Sequence, residues 1–187
     1  MKHVITVVLL LLTNPARGGV VEFEDDFTGW AESVSSFSTI TFAEVPFGFL
    51  AGDAYASLGV HFVDGSDVVF PLDTFSDGAG ITGAPAVAED IELVFDAPQY
   101  WIGADFIGAI AIRLYSEGIL VFDSSVFGVS GPDHFGGLIS LIGFDEARIR
   151  DPLDGVVFVD NLYFGVPAPG ALGLLALAGA LRTRQRR

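Results

Sequence analysis

Short apolar runs that alternate with turn residues extend through the middle of the chain, residues 19–165, and constrain its fold most strongly. Half-buried strands give such runs, because successive side chains of a strand point to opposite faces of the sheet. Separate strands are predicted, for example, at Asp90–Asp96 and Trp101–Phe106. The length of this region suffices for one packed core. We therefore predict an all-β protein whose body is an antiparallel β-sandwich or jelly roll.

One hairpin is predicted with particular clarity. Residues 111–123 form two apolar runs that meet around Glu117 and Gly118. A glycine at such a corner readily supplies the positive φ that a tight hairpin turn requires.

The last predicted strand, residues 156–164, shows strict alternation. One face would carry Val156, Phe158, Asp160, Leu162 and Phe164. This phase places a single charge, that of Asp160, on an otherwise apolar face. A buried carboxylate needs a partner, because an unpaired one is costly.

Charge separates the ends of the chain from its middle. All 24 acidic residues lie between Glu22 and Asp160 together with only three of the nine bases, so this span has a net charge of −21. Nucleic-acid binding is disfavoured, because phosphate contacts need clustered lysine and arginine. A hydrophobic content of 51% excludes a disordered acidic chain. The absence of cysteine excludes disulfides, thiolate metal sites and cysteine nucleophiles.

The N-terminus has the pattern of a secretory signal peptide, predicted over residues 1–18. Lys2 supplies a positive start, and residues 4–12 are apolar except for Thr6. Small residues at Ala16 and Gly18 fit a cleavage site. The alternative is a buried first strand, but a leucine-rich run followed by Asn-Pro favours the signal peptide.

The C-terminus, residues 166–187, reads as a hydrophobic helix with a basic end. Pro167 and Pro169 break the preceding strand, and residues 171–181 are uncharged. As a helix, residues 166–181 would span about 24 Å at 1.5 Å per residue, against roughly 30 Å for a bilayer core. Snorkelling arginines can cover that difference. The basic end is formed by Arg182, Arg184, Arg186 and Arg187. Such a cluster stays in the cytoplasm and leaves the body outside.

This tail resembles a PEP-CTERM sorting signal, which exosortase, a membrane enzyme of Gram-negative bacteria, recognises. The resemblance rests on Pro167-Ala168-Pro169, the apolar helix and the arginine cluster. The family pattern is Pro-Glu-Pro, and Ala168 stands where it has glutamate. The resemblance implies export, a transient anchor in the inner membrane, exosortase as partner, and cleavage near Pro167 to Pro169. The body would then be released or attached to the cell surface.

The body also resembles exported bacterial domains of the carbohydrate-binding-module or galactose-binding-like jelly-roll kind. The resemblance rests on residues 40–44, on residues 55–62, and on the closing segments 144–150 and 159–164. It implies a non-catalytic module that binds extracellular polysaccharide.

Calcium is the cofactor that the second resemblance implies. Such domains often hold a structural calcium between an opening loop and the last strand, and the acids at matching places are Glu44, Asp53 and Asp160. Calcium binds 6 to 8 oxygen ligands, which carboxylates supply. A salt bridge from Arg148 or Arg150 to Asp160 is the alternative.

Catalysis has weaker support. Glycosidases need two facing carboxylates, and neighbouring acids on one strand point to opposite faces. Beyond the signal segment the histidines are His61, in a strand pattern and facing the surface, and His134, in a turn. No nucleophile elbow and no zinc-protease motif occurs. A secreted hydrolase acting on polysaccharide and a purely structural surface protein remain the alternatives to a binding module.

Aromatic side chains are candidates for stacking on sugar rings. The candidates are Trp30, Tyr100 and Trp101. Core packing is the competing role, favoured for Trp101 and undecided for Trp30.

Overall fold

The structure is a computed structural model that describes residues 19–63, 67–71, 78–83, 90–129, 131, 134–153 and 155–167. Every strand pairing assigned in these residues is antiparallel. The predicted antiparallel all-β class is thereby confirmed. The predicted signal peptide and the tail from residue 168 onward lie outside the described residues. Within those residues, no helix is long and apolar enough to cross a membrane.

The described elements are one short α-helix, one 3-10 helix at Ala56–Leu58, and eleven strands. The helix, α1, is Phe27–Ser33. The strands are β1 (Val20–Glu24), β2 (Ser38–Ile40), β3 (Gly48–Phe49), β4 (Val60–Phe62), β5 (Val68–Pro71), β6 (Ala79–Thr82), β7 (Ile91–Ile107), β8 (Ala111–Ser116), β9 (Ile119–Asp123), β10 (His134–Arg150) and β11 (Phe158–Gly165).

Two strands of 17 residues, β7 and β10, run through both layers of the body. Their pairing is interrupted by register shifts between Ile139 and Phe144 and between Phe144 and Glu146 of β10. Irregularities of this kind bend strands. The sequence pattern predicts separate strands on either side of these bends, and the structure shows continuous ones.

The first half of β7 and the last residues of β10 belong to the layer that we call the front sheet. Its strand order is β4, β7, β10, β8 and β9. The β8–β9 hairpin turns at Glu117 and Gly118, both with positive φ (52° and 76°), as the sequence predicts. Asp145 accepts hydrogen bonds from the Glu117 amide through both carboxylate oxygens at 3.1 Å, which holds this turn.

The second half of β7 and the first half of β10 belong to the back sheet. There β1 pairs with β10, β10 with β7, and β7 with β11. Beyond β11 the sheet continues through β6 and β5 to β3, while β2 pairs with the other end of β11.

The main core lies between the two sheets. Phe95 of the front sheet packs against Phe164 of the back sheet, with ring centroids 5.3 Å apart. Phe144, at the bend of β10, lies 5.9 Å from Phe95 and is fully buried. Each side chain buried in this way stabilises the fold by about 1.5–3 kcal/mol. The opposite, outer face of each sheet is therefore left for other roles.

A β-bulge in β11 overturns the predicted alternation of the last strand. Val159 pairs with Phe106 of β7, but Leu162 pairs with Ala104, so three steps on β11 match two on β7. Val159 and Leu162 both face the main core. The extra residue, in the Asp160–Asn161 step, changes the phase of alternation. Phe158 is consequently absent from the main core, whereas a strict alternation would place it there with Leu162.

Candidate functional site

On the outer face of the back sheet, two glycines leave the backbone uncovered by side chains. An added Cβ at Gly137 of β10 would meet Cδ1 of Trp30 at 2.6 Å, and one at Gly103 of β7 would meet the Phe135 ring at 3.0 Å. Two neighbouring glycines therefore admit large rings directly onto the sheet. Trp30, on α1, fills this place and is fully buried.

The helix α1 is set over these glycines by local contacts. Asp26, its N-cap residue, accepts a hydrogen bond from the Gly29 amide at 2.9 Å, which satisfies one of the free donors of the first turn. The segment that follows the helix is tied down by Trp101, whose Nε1 donates to the Ser36 carbonyl at 3.0 Å.

Tyr163 of β11 lies at the centre of an aromatic cluster on this face. Its ring centroid is 5.1 Å from that of Phe27 and 5.6 Å from that of Phe37. Trp30 lies 5.9 Å away. Tyr163 is buried, but Phe27 and Phe37 are 37% and 36% exposed. The cluster therefore presents two phenylalanine rings to solvent.

A polar cluster adjoins these rings. Asp105 of β7 accepts hydrogen bonds through one oxygen, Oδ2, from the Tyr163 hydroxyl at 2.6 Å and from Asn161 Nδ2 at 3.0 Å. Asn161 and Tyr163 alternate with the core residues Leu162 and Phe164 along β11, so both lie on the outer side and reach this carboxylate. Asn161 and Tyr163 are buried and Asp105 is half-buried, so the two buried residues orient a carboxylate that solvent can reach.

Together the two clusters form one surface, which we call the ring–carboxylate surface: Phe27, Phe37, Asp105, Asn161 and Tyr163. A carboxylate offers about four acceptor positions, so Asp105 can accept further hydrogen bonds beside the two that it already has. Exposed aromatic rings pack well against apolar C–H groups. The arrangement thus suits a ligand with both hydroxyl groups and apolar faces.

The predicted stacking residues are placed mainly in the interior. Trp101 is only 5% exposed, which confirms its core role, and Trp30 is also a core residue. Tyr100 packs partly buried against the same cluster.

Two of the three acids predicted as calcium ligands, Glu44 and Asp53, contact different side chains. Glu44 accepts from the Thr41 hydroxyl at 3.0 Å. Asp53 lies 2.7 Å from the His61 ring. Asp160 is buried in β11. In the part of the chain that the structure describes, no group of three or more His, Cys, Asp or Glu side chains could hold a metal ion. Calcium binding by these residues stays a prediction.

Arg148, one alternative partner for Asp160, lies on the outer face of the front sheet. It forms ion pairs with Glu92 at 2.7 Å and with Glu146 at 2.6 Å, and its guanidinium covers the Tyr115 ring at 5.0 Å. The other alternative, Arg150, is 3.6 Å from Asp123 of β9 on the same face. The structure thus brings Glu92 and Glu146 together around one guanidinium.

His61 of β4 faces the surface of the front sheet, as predicted, and lies between two carboxylates. Its Nδ1 is 2.7 Å from Asp53 and its Nε2 is 3.1 Å from Asp96. Hydrogen bonds to Asp53 first, and then to Asp96, raise the pKa of His61 above its ordinary value. Tyr55, on the neighbouring turn, also has a raised pKa, because of its burial and the nearby Glu44 carboxylate.

His134 is not in a turn, as its Gly-Pro-Asp context suggests, but begins β10. Its ring stacks on Phe106 with centroids 5.7 Å apart, and Nδ1 is 3.2 Å from Asp25. The structure therefore gives it a packing role at the end of the strand.

The sequence reasoning missed Phe27, Phe37 and Asp105. Two signals for them exist in the sequence. Asp26 is a good N-cap residue ahead of Phe27, and glycines at 103 and 136–137 indicate close approach of another element to the sheet. The contribution of Asp105 had no such signal, because its contacts with Asn161 and Tyr163 depend on the pairing of β7 with β11.

No family model matches the sequence, and no curated protein matches it. Among solved structures, the chain is similar to a variant of a family 29 carbohydrate-binding module complexed with mannohexaose, with 10% identity, a TM-score of 0.44, and coverage of 71% of this chain and 93% of that one. A second such variant, complexed with cellulohexaose, has 10% identity and a TM-score of 0.43, and the match covers 71% of this chain and 94% of that one. An exo-β-1,3-galactanase from Phanerochaete chrysosporium with galactose has 10% identity and a TM-score of 0.29, and the match covers 71% of this chain and 30% of that one. At TM-scores below 0.5, these likenesses decide nothing about the ligand of this chain.

Proposed function

We propose that this is an exported cell-surface or extracellular-matrix protein whose body binds polysaccharide without catalysing a reaction. The observation that carries the proposal is the ring–carboxylate surface. It combines two half-exposed phenylalanines with an oriented carboxylate on a single sheet face. Sugar rings have both of the features that this surface complements, hydroxyl groups that donate hydrogen bonds and apolar C–H faces.

The binding mechanism follows from the roles of these side chains. Phe27 and Phe37 would pack against the apolar faces of sugar residues, and the Asp105 carboxylate would accept hydrogen bonds from their hydroxyls. Asn161 and Tyr163 hold that carboxylate before any ligand arrives, which lowers the ordering cost of binding. No proton transfer or nucleophile is needed for this role.

Export and sorting are the second half of the proposal. We assign residues 1–18 to a signal peptide, 19–165 to the body and 166–187 to a sorting tail that exosortase processes. The support is the sequence pattern of the two ends. Of the proposed motif, the structure describes only Pro167, which is buried after β11. A calcium ion at Glu44, Asp53 and Asp160 remains part of the proposal.

The binding test uses the full-length protein in native affinity gels that contain soluble polysaccharides. We expect at least one polysaccharide to retard the protein, and Asp105→Ala and Phe27→Ala to reduce that retardation. Phe49→Ala is the matched control, because Phe49 is 79% exposed on the distant edge strand β3. Circular dichroism of each variant separates loss of binding from loss of fold.

Three results would contradict the binding proposal. Retardation by no polysaccharide would favour the purely structural alternative. Equal loss in Phe49→Ala and Phe27→Ala would move the site elsewhere. Release of reducing ends from a polysaccharide, abolished by Glu92→Gln or Glu146→Gln, would establish the hydrolase instead.

The sorting test measures the mass and location of the protein in hosts with and without an exosortase. We expect a product that begins near Gly19 and has lost the chain after about Val166, only where exosortase is present. An intact membrane-held tail in both hosts would contradict processing and would mean that Ala168 spoils the signal.

A further inference from the structure

The described arginines are all on one side of the protein. Arg113, Arg148 and Arg150 lie on the outer face of the front sheet, and each is within 3.6 Å of a carboxylate. Register places Arg113 directly opposite Arg148 on neighbouring strands. These three are also the only lysine or arginine residues between Glu22 and Asp160. The body therefore has no lysine or arginine to place on the back sheet.

The acidic side chains in and beside the ring–carboxylate surface give it a negative charge. Its own charge is that of Asp105, and its Phe27 ring directly follows Asp25 and Asp26 in the chain. Asp25 interacts with the ring of His134, and the Asp26 carboxylate caps α1. A body with a net charge of −21 adds a repulsive background for any anion. Such fields act over about 10 Å at 0.1 M salt, the scale of a sugar-binding surface.

We infer that this surface discriminates ligands by charge: it accepts uncharged polysaccharides and rejects those with carboxylate or sulfate groups. The inference rests on the proposed function and specifies its ligand class. Two elements produce the discrimination. Asp105 gives short-range repulsion at the contact, and the front-sheet location of Arg113, Arg148 and Arg150 leaves no lysine or arginine of residues 19–165 beside it.

The experiment compares matched polymers that differ in charge. The pairs are methyl-esterified pectin with polygalacturonate, hydroxyethylcellulose with carboxymethylcellulose, and dextran with dextran sulfate. The full-length protein is run in affinity gels with each polymer at two salt concentrations. We expect the uncharged member of a binding pair to retard the protein. Its anionic partner should bind with an affinity lower by roughly tenfold or more, since like charges that face each other across an interface cost several kcal/mol.

Asp105→Asn tests the assignment to this residue. We expect the ratio of uncharged to anionic affinity to fall in this variant, and to fall in the wild type as salt rises. Asp96→Asn is the matched control, because Asp96 is an exposed aspartate beside His61 on the other sheet, and it should leave the ratio unchanged.

The outcomes separate the two proposals. Anionic polymers that bind as well as their uncharged partners would overturn the charge discrimination while supporting polysaccharide binding. A ratio unchanged in Asp105→Asn would overturn the role of that residue. If no member of any pair binds, polysaccharide binding itself fails and the charge discrimination falls with it.

Discussion

Trp30 packs directly against the backbone of Gly137, so closely that an added Cβ would lie 2.6 Å from its Cδ1 atom. We expect Gly137→Ala to destabilise the fold by about 1–3 kcal/mol through overpacking. Trp30→Ala should cost about 3–5 kcal/mol through the cavity that it leaves. Urea unfolding measures the loss of stability in both variants. Gly118→Ala does not serve as a control, because the positive φ of Gly118 would strain any other residue there.

A suitable control is Gly143→Ala, where the nearest atom, Pro98 Cβ, is 3.0 Å away. It should cost less than Gly137→Ala. Equal effects, or a Gly137→Ala variant as stable as the wild type, would contradict the direct seating of Trp30 on β10.

The paired carboxylates around His61 predict a defined pH dependence. Because its pKa is raised in the folded state, His61 adds stability fully below its unfolded pKa of about 6.5. That contribution is lost as the pH rises through the folded pKa. The difference in urea midpoint between wild type and His61→Gln should therefore be largest at acidic pH and should disappear at alkaline pH.

Proton NMR titration of the His61 ring checks the cause directly. We expect Asp53→Asn to lower the pKa of His61 more than Asp96→Asn, because the Asp53 contact is shorter (2.7 against 3.1 Å). A pKa of His61 at or below 6.5 in the wild type would contradict the arrangement.

The side-chain amide of Asn161 is predicted to be required for the stability of the fold. Asn161→Asp would set a second carboxylate against Asp105, where Nδ2 now donates at 3.0 Å. We expect this variant to lose about 1–3 kcal/mol at pH 8 and to recover stability as the pH falls and the pair takes up a proton. Chemical unfolding at pH 8 and pH 4 measures this.

Asn161→Ala is the isolating control for that prediction. It removes the hydrogen bond without adding charge, so its cost should vary little between the two pH values. A pH dependence shared by both variants would show that the contact with Asp105 is not the cause.

The front-sheet arginines should differ in importance. Arg148 holds two carboxylates within 2.7 Å and covers Tyr115, so Arg148→Ala leaves Glu92 and Glu146 facing each other. We expect a loss of roughly 1–3 kcal/mol after allowance for solvent screening, against about 0.2–1 kcal/mol for Arg113→Ala, whose pair with Asp123 is long at 3.4 Å. Thermal unfolding of both variants, repeated at 0.5 M salt, measures this. Equal losses would contradict the network.

The local pattern predicts the β8–β9 hairpin well. Glu117 and Gly118 carry a turn signal that acts between near neighbours, and β9 has the predicted bounds, Ile119–Asp123. Local preference alone determines such a turn, so no knowledge of the rest of the fold is needed.

The two long strands and the bulge escape sequence reasoning for a different reason. Polar and proline residues near Pro98 look like a break, yet β7 continues through them because it pairs with β10 on both sides of the bend. The phase change at Asp160 is likewise decided by the partner strand. Residues of the ring–carboxylate surface come together only once both are in place, so their spacing in the sequence shows no motif.

The continuity of β7 and β10 has a mechanical consequence. Both strands traverse both sheets and pair with each other on either side of the bend, so continuous backbone joins the two sheets. A pull applied through a polymer bound on one face would be shared at once with the opposite face. Such sharing makes the body resist shear as one unit, and it should unfold in a single step under load.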